Sequence, residues 1–88
     1  MPTLFTPLAV PDDVRDLTTD DVFEYFDELV RVVGVRTELQ GLLMTTVTVR
    51  HLTGPFVGTG DHQYVVLTGT AILRWEEKDV PRGSRIVA

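Results

Sequence analysis

The side chains best suited to chemistry gather around one glycine-rich stretch, HLTGPFVGTGDHQ, residues 51–63. His51 and His62 flank it, and Asp61 stands beside the second histidine. Imidazole and carboxylate are competent ligands for divalent transition metals, so a metal site on these three is the first chemistry to test. Two histidines and one carboxylate at the ends of a loop make a sparse set, and exposed histidines at a hairpin mouth explain them as well. If the two rings lie close across the base of the loop, they also form a mild pH sensor, because imidazole titrates near neutrality.

The glycines suggest a phosphate cradle, and their spacing rejects it. A P-loop needs G-x-x-x-x-G-K-[ST], whose lysine reaches the phosphates and whose hydroxyl holds magnesium. Gly54 and Gly58 are four apart, no lysine follows, and Asp61 repels a phosphate. The dinucleotide pattern G-x-G-x-x-G requires glycine at 63, where Gln63 stands. Turn conformations account for these glycines more simply. Covalent catalysis has little material: cysteine is absent and Ser84 is the single serine. The acid pairs Asp12–Asp13, Asp20–Asp21 and Glu76–Glu77 are sequence neighbours, and adjacent residues do not share a helix or strand face. The sequence therefore gives no catalytic residue, no cofactor and no metal ligand set, and an enzyme is the least supported class.

The elements that position the loop read as one helix followed by strands. In LTTDDVFEYFDELVRVVG, Thr18 suits an N-cap, acids follow it, and Leu17 and Val22 have staple spacing. Val22, Phe23, Phe26, Leu29, Val30 and Val33 recur at helical spacing, and Gly34 suits a helix end. This predicts an amphipathic helix at about 19–33, bounded by Thr18 and Gly34, with its acids on the far side. Residues 42–52 alternate and are rich in Thr and Val, with Leu43, Thr45, Val47, Val49 and His51 on one face. Residues 63–77 read as a second long strand with Val65, Leu67, Gly69, Ala71, Leu73 and Trp75 toward the core. Gly69 suggests a bulge or close backbone approach there. Residues 1–17 read as a proline-marked extended arm, with an edge strand at about 3–10 and one helical turn at 11–17. KDVPRG, 78–83, reads as a turn, and SRIVA as a short last strand. The expected fold is α+β: one amphipathic helix on a three- to four-stranded antiparallel sheet, in a single domain over 1–88, with a long hairpin tip at 53–62.

Whole-chain properties narrow the function. An 88-residue chain buries only about 60–65% of its unfolded surface, and without cysteine no disulfide reinforces it. Small domains of this kind often gain stability from a partner or from copies of themselves. No apolar run approaches a membrane span, and MPTLFTPLAVPDD lacks the basic and apolar regions of a secretory signal, so a cytoplasmic location is the default. The net charge of −5 opposes direct nucleic-acid binding. Fourteen valines and seven arginines against two isoleucines, one lysine and no asparagine point to a GC-rich genome.

Two features favour protein contact. Phe56 and Val57 form an apolar pair at the loop tip. Tyr64, Val66 and Ile72 fall opposite the expected core face, as though another molecule covered them. Arg50, Arg74, Arg82 and Arg85 are placed to rim such a surface. The leading expectation is a non-enzymatic structural or interaction protein in a homo-oligomeric or multi-protein assembly, such as a phage virion or accessory component. The alternatives are a small-molecule-binding oligomeric module with an apolar pocket near Trp75 and Tyr64, and an acidic inhibitor whose 12–28 carboxylates mimic nucleic acid.

Overall fold

Valine and threonine crowd residues 30–49, and β-branched side chains favour a pleated, half-buried backbone over a helix. A computed structural model of the chain describes residues 3–8, 10–77 and 85–87. Nearly all of it is strand: β1 Thr3–Pro7, β2 Asp12–Asp13, β3 Val22–Tyr25, β4 Glu28–Gln40, β5 Leu42–His51, β6 Asp61–Leu67, β7 Ala71–Ile72, β8 Arg74–Glu77 and β9 Arg85–Val87. The one helical piece among the described residues is a 3-10 turn, Val14–Asp16, inside the span expected to make a helical turn. No helix of the described residues is long and apolar enough to cross a membrane. Ser84, Arg82 and the 78–83 turn lie outside the described residues.

The expected α+β fold is thus overturned, because the helix at 19–33 is a β-hairpin. β3 and β4 pair antiparallel from Val22↔Arg31 to Tyr25↔Glu28, with Phe26 and Asp27 as a two-residue loop. Both loop residues have positive φ, 48° and 65°, the signature of a type I′ turn. Three irregularities produced the helical spacing. The first is this turn, which lacks the usual Asn-Gly signal. The second is a β-bulge between Val32 and Gly34, which shifts the alternation by one residue so that Val32 and Val35 both face Val49 and Val47. Gly34 therefore belongs to a bulge and not to a helix end. The third is burial on both faces: the neighbours Val22 and Phe23 are both buried, as are Leu29 and Val30.

The main sheet has the order β6-β5-β4-β3-β8-β1-β9, and β2 and β7 form a separate two-stranded piece. β1 pairs with both β8 and β9, so the N-terminal segment is an interior strand and not a free arm. The larger core lies on one face, where Phe23, Val30, Val32, Val47 and Val49 meet Val14, Leu17 and Ile72 from the crossing segments. The smaller core, Phe5, Val22, Leu29 and Trp75, lies on the other face. The single strand expected over 63–77 is instead β6, β7 and β8. Gly69, at φ 96°, takes the turn that Thr70 N–H closes onto the Leu67 carbonyl at 3.1 Å. The faces are also the reverse of those expected, as the register of β6 on β5 sets Tyr64 opposite Val47: Tyr64, Val66 and Ile72 face or join the core, while Val65 and Leu67, assigned to the core from sequence, are exposed.

Candidate functional site

Strand register brings the candidate side chains together at the open end of the larger core. On its face, β5 carries Val47, Val49 and His51, and β6 carries Tyr64 opposite Val47 and His62 opposite Val49. β4 contributes Val30 opposite His51, and Tyr25 stands opposite Glu28 at the hairpin end. Val14, Leu17 and Ile72 pack against the core with those valines. Beyond Val30 and Val49 the same face changes from valine to Tyr25, Glu28, His51, His62 and Tyr64. Four of these side chains (Tyr25, Glu28, His51 and Tyr64) line a cavity of about 350 Å3 together with Phe26, Pro55 and Phe56 from two turns.

The loop at 52–60 is built by its glycines, as the sequence indicates. Gly54, Gly58 and Gly60 have φ of 84°, 79° and 92°, which other residues adopt at a cost. At Gly54 a second constraint applies, because a Cβ there would fall 2.6 Å from the Glu28 carboxyl carbon. Glu28 accepts a short hydrogen bond from the Thr53 hydroxyl, whose oxygen in turn accepts the Leu29 N–H at 3.0 Å. The loop thus sits directly on the Glu28 carboxylate. At its far side the Thr59 hydroxyl donates to the Phe56 carbonyl at 2.6 Å. Its oxygen then accepts from His62 Nε2 at 2.7 Å, which assigns the ring proton of neutral His62 to Nε2.

The rings interlock. His51 and His62 meet edge-on with centroids 5.1 Å apart, and Phe56 stands 5.4 Å from each. Tyr25 lies 4.5 Å from Tyr64 and 4.5 Å from Phe26. His51 Nε2 and the Tyr64 hydroxyl share a 2.8 Å hydrogen bond. His51 is only 6% exposed, and its buried Nδ1 has no hydrogen-bond partner among the described residues. Burial holds its pKa below the ordinary imidazole value; the nearby His62 lowers it further and Glu28 partly opposes both. Burial, and then Tyr64, raise the Tyr25 phenol above its ordinary value.

The metal option loses its third ligand. His51 and His62 do approach one another, but Asp61 projects from the opposite face of β6. There its carboxylate accepts from Arg50 Nε at 3.1 Å, and Arg50 Nη2 lies 3.1 Å away. Among the described residues no group of three histidine and carboxylate side chains converges as a metal site.

The other residues singled out from sequence are dispersed. Phe56 leans onto the two histidines yet stays 48% exposed, and Val57 beside it is exposed. Val66 packs against the core and Ile72 is part of it. Arg74 is paired with Asp12 at 2.7 Å and with Asp21 at 3.7 Å, and does not rim an outer surface. Trp75 belongs to the core on the opposite face, and it is not among the residues that line the cavity at Tyr64. The carboxylates of 12–28 do not share a helix face. Asp12 pairs Arg74, Asp13 accepts the Arg15 and Gly69 N–H groups, Asp21 caps Thr18, and Glu28 lies in the cavity. Sequence reading missed Tyr25, Phe26 and Glu28 as cavity residues. The one signal for them was the run EYFDE, which reads as a tight turn only once the helix is abandoned. Comparison with protein families, with characterised proteins and with solved structures gives no significant match to this chain.

Proposed function

We propose that the chain is a non-enzymatic assembly protein that associates with copies of itself through the β6 edge. One observation carries this reading. β6 is the end strand of the sheet among the described residues, seven residues long, and its outward Val65 and Leu67 are 57% and 49% exposed. An edge strand offers a row of backbone donors and acceptors, and proteins that must stay monomeric blunt it with lysine, proline or a bulge. The stretch QYVVL has none of these. The tip of the β4–β5 hairpin beside it adds exposed Leu39, Leu42 and Leu43. Antiparallel pairing of β6 with the β6 of a second copy satisfies the edge and sets these apolar side chains beside those of the partner about a two-fold axis. Such self-pairing suits a virion or accessory component built from many small copies.

Light scattering coupled to size exclusion tests this. The expected result is a dimer or larger species for the native chain. Val65→Lys, at an exposed position, should weaken association about tenfold or more by setting like charges against each other at the pairing edge. A chain that stays monomeric at every concentration, or a Val65→Lys variant that assembles as well as the native one, refutes the proposal.

A further inference from the structure

We propose a second site, argued from other observations than the β6 edge although Tyr64 of β6 forms one wall: the cavity between Tyr25, Phe26, Glu28, Phe56 and Tyr64 binds a methylated or quaternary ammonium group. The argument begins with charge. Glu28 lines a largely aromatic cavity of about 350 Å3, and its carboxylate has no basic partner among the described residues. Its one hydrogen bond comes from the Thr53 hydroxyl to Oε2, leaving Oε1 without a donor among the described residues. A carboxylate kept in apolar surroundings without a counter-charge is favourable ground for a cation.

The walls add to this. Tyr25, Phe26, Phe56 and Tyr64 contribute four rings, and aromatic faces attract cations through their quadrupole. Two of them hold apolar area in water with no core to explain it: Phe26 is 83% exposed and Phe56 48%. Phe26 also occupies a positive-φ turn position that asparagine or glycine would take with less strain, so its ring is retained at a local cost.

Hydrogen-bonding capacity selects the kind of cation. A primary ammonium needs three acceptors. Here Glu28 Oε1 is open, but Glu28 Oε2 already accepts from Thr53 and the Tyr64 oxygen already bonds His51 Nε2, so a primary ammonium would share its other acceptors with existing bonds. A trimethylammonium group needs charge and apolar contact but no acceptors. Its fit to aromatic rings around one carboxylate follows directly.

The test uses choline, its neutral isostere 3,3-dimethylbutan-1-ol and its primary-amine counterpart ethanolamine, each titrated into the full chain and followed by amide chemical shifts in two-dimensional NMR. Choline is expected to shift the amides of Glu28, Thr53, Gly54 and Phe56, with both controls about tenfold weaker or more. Glu28→Gln keeps an acceptor for Thr53 and should abolish the preference for choline over the neutral isostere. Phe26→Ala, at an exposed position, should weaken choline several-fold without lowering the melting temperature. No choline-dependent shifts up to tens of millimolar, equal binding of either control, or full choline preference in Glu28→Gln would each overturn the proposal. Oligomeric state is unchanged by Phe26→Ala if the two sites are independent, so failure of this site and failure of β6 pairing are read separately.

Discussion

His51 shows how a single side chain couples burial to solution behaviour. Its ring is buried, bonded through Nε2 to Tyr64, and bare at Nδ1 among the described residues. Its folded pKa lies below the ordinary value of 6.5 because burial, then His62, disfavour the charged form. The sign follows from linkage. As pH falls through that ordinary value, the unfolded chain takes up a proton that the folded chain refuses, so stability drops; the loss levels off once pH is below the folded value. Above about pH 7.5 this group contributes no pH dependence. Thermal unfolding between pH 7.5 and 5.5 should therefore show a falling melting temperature, and His51→Gln should flatten that fall. An equal acid loss in both proteins would mean that another group is responsible. That His51 and His62 could meet was legible in the sequence as two histidines flanking one loop; that they do meet came from the strand register. The outward turn of Asp61 was not, because it depends on the one-residue parity of β6 against β5.

At the scale of elements, the hairpin β3–β4 decides most of what sequence reading got wrong. Its two-residue loop, Phe26-Asp27, requires positive φ at both positions without glycine or asparagine at either. Such residues in left-handed conformations cost of the order of 1 kcal/mol or more each. The double substitution Phe26→Asn with Asp27→Gly should accordingly stabilise the chain by about 1 kcal/mol or more, read from urea unfolding, while weakening choline binding. Unchanged or reduced stability would show that the native turn is not strained. Helix and strand were hard to separate here for a physical reason. Burial on both faces puts apolar residues at adjacent positions, and a bulge and a tight turn each shift the alternation by one. The sum imitates a 3.6-residue repeat. By contrast β5 is regular, and the alternation that sets Thr45, Val47, Val49 and His51 on one buried face was legible, although Leu43 of that face is exposed and Thr46 of the other is buried. The glycine turns of the 52–60 loop were legible for the same reason, since their causes are local.

For the whole molecule, the thin construction sets the stability. The described Cα positions span 43 × 30 × 19 Å, and the buried apolar residues divide into two clusters on opposite faces of the sheet. A chain of this length has a total stability of roughly 4–13 kcal/mol. Phe23 is buried in the larger cluster and meets Tyr25 edge-to-face with centroids 6.2 Å apart. Phe23→Ala should cost about 3–5 kcal/mol, enough to leave a large unfolded fraction at 37 °C. Val65→Ala, on the exposed side of β6, should change stability by no more than about 0.5 kcal/mol. Circular dichroism melts of the two variants check both, and a mild effect of Phe23→Ala would mean that the cluster does not hold the sheet together. If β6 pairs between copies, the native melting temperature also rises with protein concentration, as mass action requires.

Composition and local pattern determined a small chain without disulfides, rich in β-branched residues, with glycine turns in a long loop and two histidines at its base. These follow from properties that each residue carries wherever it sits. Tertiary structure alone decided that residues 19–33 form a hairpin, that Val65 and Leu67 face outward, and that Tyr25, Phe26 and Glu28 join the loop around one cavity. Those outcomes depend on strand register, where a shift of one residue exchanges the faces of a strand, and register is set by pairing across the sheet.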